Sequence, residues 1–322
     1  MKITPSLKLV CGAALLAGLC LPAFSAAQSV AVAAITEHPA LDDVRDGVRE
    51  GLAQAGYTEA KGLKWQYQSA QNNTAVAAQI ARKYVGDKPD VIVAIATPMA
   101  QAVVAATKQV PVVYAAVTDP VASQLVPSMS PSGINVAGVS DALPLEKQIA
   151  LIKQVVPAAK RVGIIYNPGE INSVVVVKRL REMLPKEGLS LVEATASRTV
   201  DVGAAARSLV GKVDVIYTNT DNNVVSAYEA LVKVGIDAKI PLIASDAGSV
   251  KRGAIAALGI DYRDLGRQTG RLVARILKGQ APGGIASETS DKLQLFINPA
   301  AAEQQGVTLS DKFIQSAAQI IQ

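Results

Sequence analysis

"DVIVAIATPMAQ" (90–101), continued by "VPVVYAAVTDP" (110–120), is repeated in order by "DVIYTNTDNN" (214–223) and "IPLIASDAG" (240–248). Each copy has an Asp, a Val/Ile-rich run, a polar stop, a helical stretch, an Ile/Val-Pro pair, a second apolar run and an Asp. Short apolar runs bounded by breakers fit buried strands. Strands that alternate with helices imply a parallel sheet covered on both faces. Two such copies argue for two lobes of one design.

The same alternation extends outward from both copies. Before the first lie "VAVAAI" (30–35), a helix carrying Leu41, Val44, Val48, Leu52 and Ala55 near 3.6 spacing with Gly56 at its end, "KWQYQSA" (64–70) and a helix near 74–86. Pro98 after Thr97 reads as a helix start at 98–108, with Thr97 as cap. The pattern resumes with "RVGIIYN" (161–167), a helix from about 173, "SLVEATA" (190–196) and helices near 200–211 and 222–235. "AIAALGIDY" (254–262), a helix near 263–278 and "KLQLFIN" (292–298) close the chain. The boundary falls in "GVSDALPLEKQ" (138–148), where Pro144 opens a helix. The expected fold class is α/β: two Rossmann-like lobes with parallel sheets, joined by a multi-strand hinge. Lobe 1 takes residues 28–141 plus 262–288, and lobe 2 takes 142–261 plus 289–322. Several short connections make a hinge rather than a floppy tether.

Residues 1–27 read as a secretory signal peptide. Lys2 and Lys8 precede the apolar run "LVCGAALLAGLCL" (9–21), then Pro22, then small residues at Ser25 and Ala27. The run is shorter than the roughly 20 residues of a membrane span. Cleavage near Ala27 would give a periplasmic protein. Neither Cys11 nor Cys20 follows a small residue, as a lipid-modified cysteine would. They are the chain's two cysteines, so the mature chain would hold no disulfide or thiol site. A zinc site or a Ser-His-Asp relay would rest on the single histidine, His38, which argues against both. No G-x-S-x-G elbow or P-loop occurs. Without Lys2 and Lys8 there are 30 basic against 27 acidic residues, scattered, which gives nucleic acid no basic stripe. No cofactor is implied.

In open parallel sheets, ligands bind beyond the carboxyl ends of the strands. Lobe 1 offers Glu37 and His38, Thr97, and Thr118 with Asp119 there. Lobe 2 offers Asn167, Glu170 and Asn172, then Thr220, Asp221 and Asn222, then Ser245 with Asp246. Ser140 and Asp141 stand at the crossing. Helix N-termini after Thr97 and near Thr118 suit a carboxylate. Asp221 or Asp246 suits an ammonium, with Asp119, Asp141 and Glu170 as alternatives. Thr97, Ser173 and Asp221 also stand where helix caps are wanted, and Asp119 and Asp246 where turns are. His38, Pro39 and Tyr166 lie where a ring could stack.

"EHPALDDVRDGVREGLAQAGY" (37–57), "VYAAVTDPV" (113–121), "YNPGEINS" (166–173), "TDNNVVSA" (220–227) and "RGAIAALGIDYRDLGRQTG" (252–270), with 90–101 and 138–148, resemble ABC-transporter substrate-binding proteins of the tryptophan/aromatic amino-acid type. The likeness spans nearly the whole mature chain. It implies the type I periplasmic-binding-protein fold, a ligand between the lobes and no enzymatic activity. It also implies a monomer that serves an inner-membrane permease with its ATPase. Ala34 and Pro168 depart from the family pattern. The alternatives are a ligand-sensing receptor component and a secreted enzyme using the site carboxylates.

Overall fold

The computed structural model describes Met1, residues 27–290 and residues 292–321. The signal-peptide expectation lies almost wholly outside them. The first part of the chain runs β1 (Ser29–Ala34), α1 (Pro39–Gln54), β2 (Lys64–Ser69), α2 (Thr74–Asp87), β3 (Val91–Ile95), α3 (Thr97–Ala106), β4 (Val112–Val117) and β5 (Val136–Ser140). The second runs α4 (Leu145–Val155), β6 (Arg161–Tyr166), α5 (Ile171–Met183), β7 (Ser190–Thr195), α6 (Val202–Ser208), β8 (Val215–Thr218), α7 (Asn222–Ser226), α8 (Tyr228–Ala238), β9 (Leu242–Ala244), α9 (Ala247–Lys251) and β10 (Ala256–Ile260). Then come α10 (Tyr262–Leu277), β11 (Glu288–Thr289), β12 (Leu293–Ile297), α11 (Pro299–Gln304), α12 (Asp311–Gln315) and β13 (Gln319–Ile320).

Two sheets result. The first has the order β11-β5-β4-β3-β1-β2, the second β13-β12-β10-β9-β8-β6-β7. All pairings are parallel except β10 with β12. The chain passes from one sheet to the other after β5, after β10 and between β11 and β12.

Alternation explains the burial. Successive strand residues point to opposite faces, so Val215 and Tyr217 enter one apolar cluster of the second sheet while Ile216 enters the other. Both faces being covered, all three are buried, as the uninterrupted apolar run requires.

α10 returns the chain to the first sheet's layer and packs on α1 through glycines one turn apart. A Cβ built on Gly47 or Gly51 would lie 2.2 or 2.4 Å from the carbonyl oxygen of Arg263 or Arg267. On Gly266 or Gly270 it would lie 2.3 or 2.4 Å from that of Val44 or Val48. The two helices therefore touch backbone to backbone.

Three local expectations change. No helix opens near Thr118, where residues 120–124 form a turn instead. Thr97 is the first helical residue, and the cap is Ala96, whose side chain makes no bond. Pro98 still sits in the first turn, where no N–H is needed. The helix expected at 222–235 is two helices, broken at Ala227 (φ −112°, ψ 32°). After the break Tyr228 is fully buried, with its hydroxyl 3.2 Å from Thr218 Oγ1.

Candidate functional site

The strand ends of the two sheets face each other across a cavity with about 360 Å³ of empty space. The first sheet's half presents His38, Ala40 and Leu41 at the start of α1, Ala96 and Thr97 at α3, and Ala116 and Thr118 at the end of β4. The facing half presents Asn172 from α5, Thr220 after β8, Asn222 and Val225 from α7, and Asp246 after β9. Asp141 and Tyr262 line it from two of the crossings.

The halves are in contact. Asn72 Nδ2 donates to Thr199 Oγ1 and Ser226 Oγ, both at 3.2 Å. Arg179 pairs with Asp119 at 3.0 Å, and the Thr118 and Thr220 hydroxyls lie 3.5 Å apart.

Eight residues expected from the strand ends thus line one cavity: His38, Thr97, Thr118, Asp141, Asn172, Thr220, Asn222 and Asp246. The others stand elsewhere. Glu37 is exposed. Asp119 caps Ala122 N and pairs with Arg179. Ser140 Oγ accepts from Ala142 N, and Ser245 Oγ donates to Thr218 O at 2.8 Å. Asn167, Glu170 and Asp221 sit behind the second half's wall, bonded to one another or to its residues. Tyr166 turns away, donating to Glu193 at 3.0 Å.

Sequence reasoning missed Tyr262, Ala96, Ala116, Ala40, Leu41 and Val225 as cavity walls. Tyr262 had a signal, since it directly follows a strand at a crossing. Ala116 had none. It occupies the register shift between β4 and β5 and takes φ 53°. Ala96 takes φ 71°, ψ 154°. Left-handed backbone at a non-glycine residue costs about 1–3 kcal/mol and gathers at ligand sites.

The carboxylates differ in what they have left to give. Asp221 is fully committed: Oδ1 accepts from Asn223 N and Val224 N, both at 3.1 Å, and Oδ2 from Asn167 N and Ser173 Oγ, both at 2.7 Å. It is a pin between β6, α5 and α7. Asp221→Ala would strand four donors in the interior, so it is expected to cost roughly 3 kcal/mol or more. The ligand-free melting point should fall by roughly 5 °C or more; an unchanged melt would show that the pin is dispensable.

Asp246 caps α9, accepting from Ser249 N at 2.8 Å and Ser249 Oγ at 2.6 Å. Asp141 accepts only from neutral hydroxyls, Thr118 Oγ1 at 3.1 Å and Tyr262 Oη at 2.9 Å. Burial pushes both carboxyls above their ordinary value. Among the described residues neither forms a salt bridge. Arg252 exerts a smaller opposing pull on Asp246, whereas no cation offsets the burial of Asp141.

His38 is a neutral cap. Its Nδ1 accepts from Leu41 N at 3.5 Å, which places the ring proton on Nε2. Burial, helped by the charge of Arg252 and opposed by a hydrogen bond with Asn222, pulls its pKa to about 4. The N-terminus of α3, which lines the same cavity through Thr97, has no side-chain cap. The Thr97 and Met99 N–H groups and the Thr97 hydroxyl are left for an anion, Pro98 having no N–H and the Ala96 and Ala100 amides being bonded. The site thus offers an anion receptor, a carboxylate with no cation and an apolar wall of Ala40, Leu41 and Val225. Among the described residues no His/Cys/Asp/Glu cluster could hold a metal, and no helix is long and apolar enough to cross a membrane.

Known proteins share both the sequence and this architecture. A tyrosine-binding protein of Clostridioides difficile is 42% identical over 271 residues, 84% of this chain and 79% of the relative. The ABC domain from Streptococcus pneumonia, solved in complex with L-Trp, is 31% identical, with 91% of this chain and 99% of that one covered and a TM-score of 0.88. A ligand-free, open substrate-binding protein with adhesive properties from Clostridium difficile is 36% identical at the same coverage, yet its TM-score is 0.69. The better fit to the ligand-bound structure, despite lower identity, matches the contacts across the cleft. The fold is that of the type I periplasmic binding proteins. The family pattern matches residues 29–321, nearly every residue that builds the two sheets and the cavity between them, and the chain belongs to the ABC transporter substrate binding proteins.

Proposed function

We propose that the protein captures an L-amino acid with an aromatic side chain, holding it in the cavity between its two halves. The observation that carries this is Asp141, a buried carboxylate without a cation, in the same cavity as the uncapped N-terminus of α3. An α-amino acid supplies both missing charges. Its carboxylate meets the α3 N–H groups and Thr97, and its ammonium meets Asp141. Its ring lies against Leu41, Val225 and Tyr262. The tyrosine-binding relative and the relative solved with L-Trp support the aromatic choice.

The halves act as a hinge. Lobe 1 (28–141 plus 262–288) and lobe 2 (142–261 plus 289–322) close on the ligand, which favours the closed form only by its better affinity for it. The protein is exported by residues 1–27, works in the periplasm as a monomer and hands its ligand to an inner-membrane permease driven by an ATPase. It binds and does no chemistry, a reading supported by its substrate-binding relatives.

The test is a thermal-shift panel on ligand-stripped protein. At about 100 times its dissociation constant the ligand adds about 2.7 kcal/mol, a melting rise of roughly 5 °C for a chain of this size. L-Tyr, L-Phe and L-Trp should lead, and their decarboxylated amines should do almost nothing. A large shift with branched-chain amino acids, a nucleoside or a sugar instead would end the aromatic assignment.

A further inference from the structure

Asn172 is 3% exposed and lines the cavity, and its two amide ends are treated unequally. The nitrogen is surrounded by acceptors: Glu170 Oε2 at 3.2 Å, Thr220 O at 3.3 Å and Ser173 Oγ at 3.5 Å. The oxygen is buried and has no hydrogen-bond partner at all. A buried acceptor without a donor costs about 1–3 kcal/mol, and turning the amide over would set that oxygen against Glu170 Oε2 and the Thr220 carbonyl oxygen. Glu170 is itself held in place. Asn222 donates to its Oε2 from Nδ2 at 2.6 Å and from the backbone at 3.2 Å, and Asn167 Nδ2 reaches its Oε1 at 3.4 Å.

We propose that Glu170, which does not line the cavity, is a positioning residue that locks the Asn172 amide with its oxygen as a second acceptor for the ligand's ammonium. This rests on the amino-acid reading above. Thr220 and Thr118 connect the two acceptors. Asn172 Nδ2 bonds Thr220 O, the Thr220 hydroxyl lies 3.5 Å from that of Thr118, and Thr118 bonds Asp141. An ammonium has three N–H groups to place. Asp141 takes one from the hinge, Asn172 takes one from the second half, and a threonine hydroxyl can accept the third. Both halves then hold the same charged group, so an amine favours closure where a des-amino ligand would not.

The experiment is calorimetry with L-tyrosine and with 3-(4-hydroxyphenyl)propanoate, which lacks only the amine. Asn172→Ala and Glu170→Gln are each expected to weaken L-tyrosine binding at least tenfold and to change binding of the des-amino acid less than about threefold. In the double variant the losses should not add, because Glu170 acts through Asn172. Glu170→Asp, which withdraws the carboxyl group from Asn172, is expected to show the same dependence on the amine and stands in should Glu170→Gln not fold. Normal L-tyrosine binding by Asn172→Ala would overturn the proposal. So would equal losses for both ligands, additive losses, or a penalty that vanishes with L-phenylalanine, which would assign Asn172 to a ring hydroxyl. If the unaltered protein binds none of the three aromatic amino acids, the ligand reading fails first and this inference falls with it.

Discussion

Asp141→Ala is expected to weaken binding of the aromatic amino acid by about a hundredfold or more while the protein stays folded. Removing one member of a buried charge pair costs about 3–5 kcal/mol, because the other charge is left in the interior, and each 1.4 kcal/mol is about tenfold. The fold should survive because Asp141 follows a strand and its loss leaves only two neutral hydroxyls, those of Thr118 and Tyr262, short of an acceptor, against four donors for Asp221. Asp141→Asn adds a test of sign. Burial raises the folded carboxyl's pKa with no cation opposing it. Its contribution to ligand-free stability is therefore most favourable at low pH. It declines as pH rises from the ordinary carboxylate range through the raised folded value. Asparagine removes that titration, so at neutral pH the ligand-free variant should melt at or above the unaltered protein while binding worse. Calorimetry with L-tyrosine and melts across pH read both effects. A variant that binds normally would place the ammonium elsewhere, with Asp246 next in line.

The architecture was legible because it is written locally. Apolar runs of strand length, helical spacing and polar stops each occupy a few neighbouring residues, and together they gave the two sheets and the end at which the cavity lies. The fine assignment of acids was not legible, and Asp221 with Asp246 shows why. Both follow a strand, both cap a short helix and both are buried. What separates them comes from distant chain. Asn167 N and Ser173 Oγ consume the remaining oxygen of Asp221, whereas Asp246 is left facing the cavity. The same limit hid Ala116, whose bulge depends on a register shift against β5, and Glu170, whose importance lies in which amide nitrogens reach it.

Gly266→Leu is expected to be strongly damaging although it lies outside the cavity. In a helix interior alanine is favoured over glycine by about 1 kcal/mol, so a helical glycine is normally a weak point that substitution repairs. Gly86, in the last turn of α2, is that ordinary case: a Cβ there meets nothing within 4 Å. Gly86→Ala should leave stability unchanged or raise it by roughly 0.5 kcal/mol. At Gly266 the added Cβ lands 2.3 Å from Val44 O and 2.8 Å from Gly47 Cα, both backbone, so no side chain can move aside. The helices must part, and overpacking of this kind costs about 1–3 kcal/mol before a larger side chain is placed. Gly266→Ala should lower the melting point by several degrees, and Gly266→Leu by roughly 10 °C or more. The damage should reach the ligand as well, because α1 and α10 carry the cavity in their first turns. His38 caps α1, and Tyr262, which holds Asp141, opens α10. Gly266→Ala is therefore expected to lose affinity for L-tyrosine along with stability, whereas Gly86→Ala keeps both. Equal melts for the two alanine variants would mean that the helix pair can slide apart freely, and the backbone contact between α1 and α10 would then not be what sets the width of the cavity.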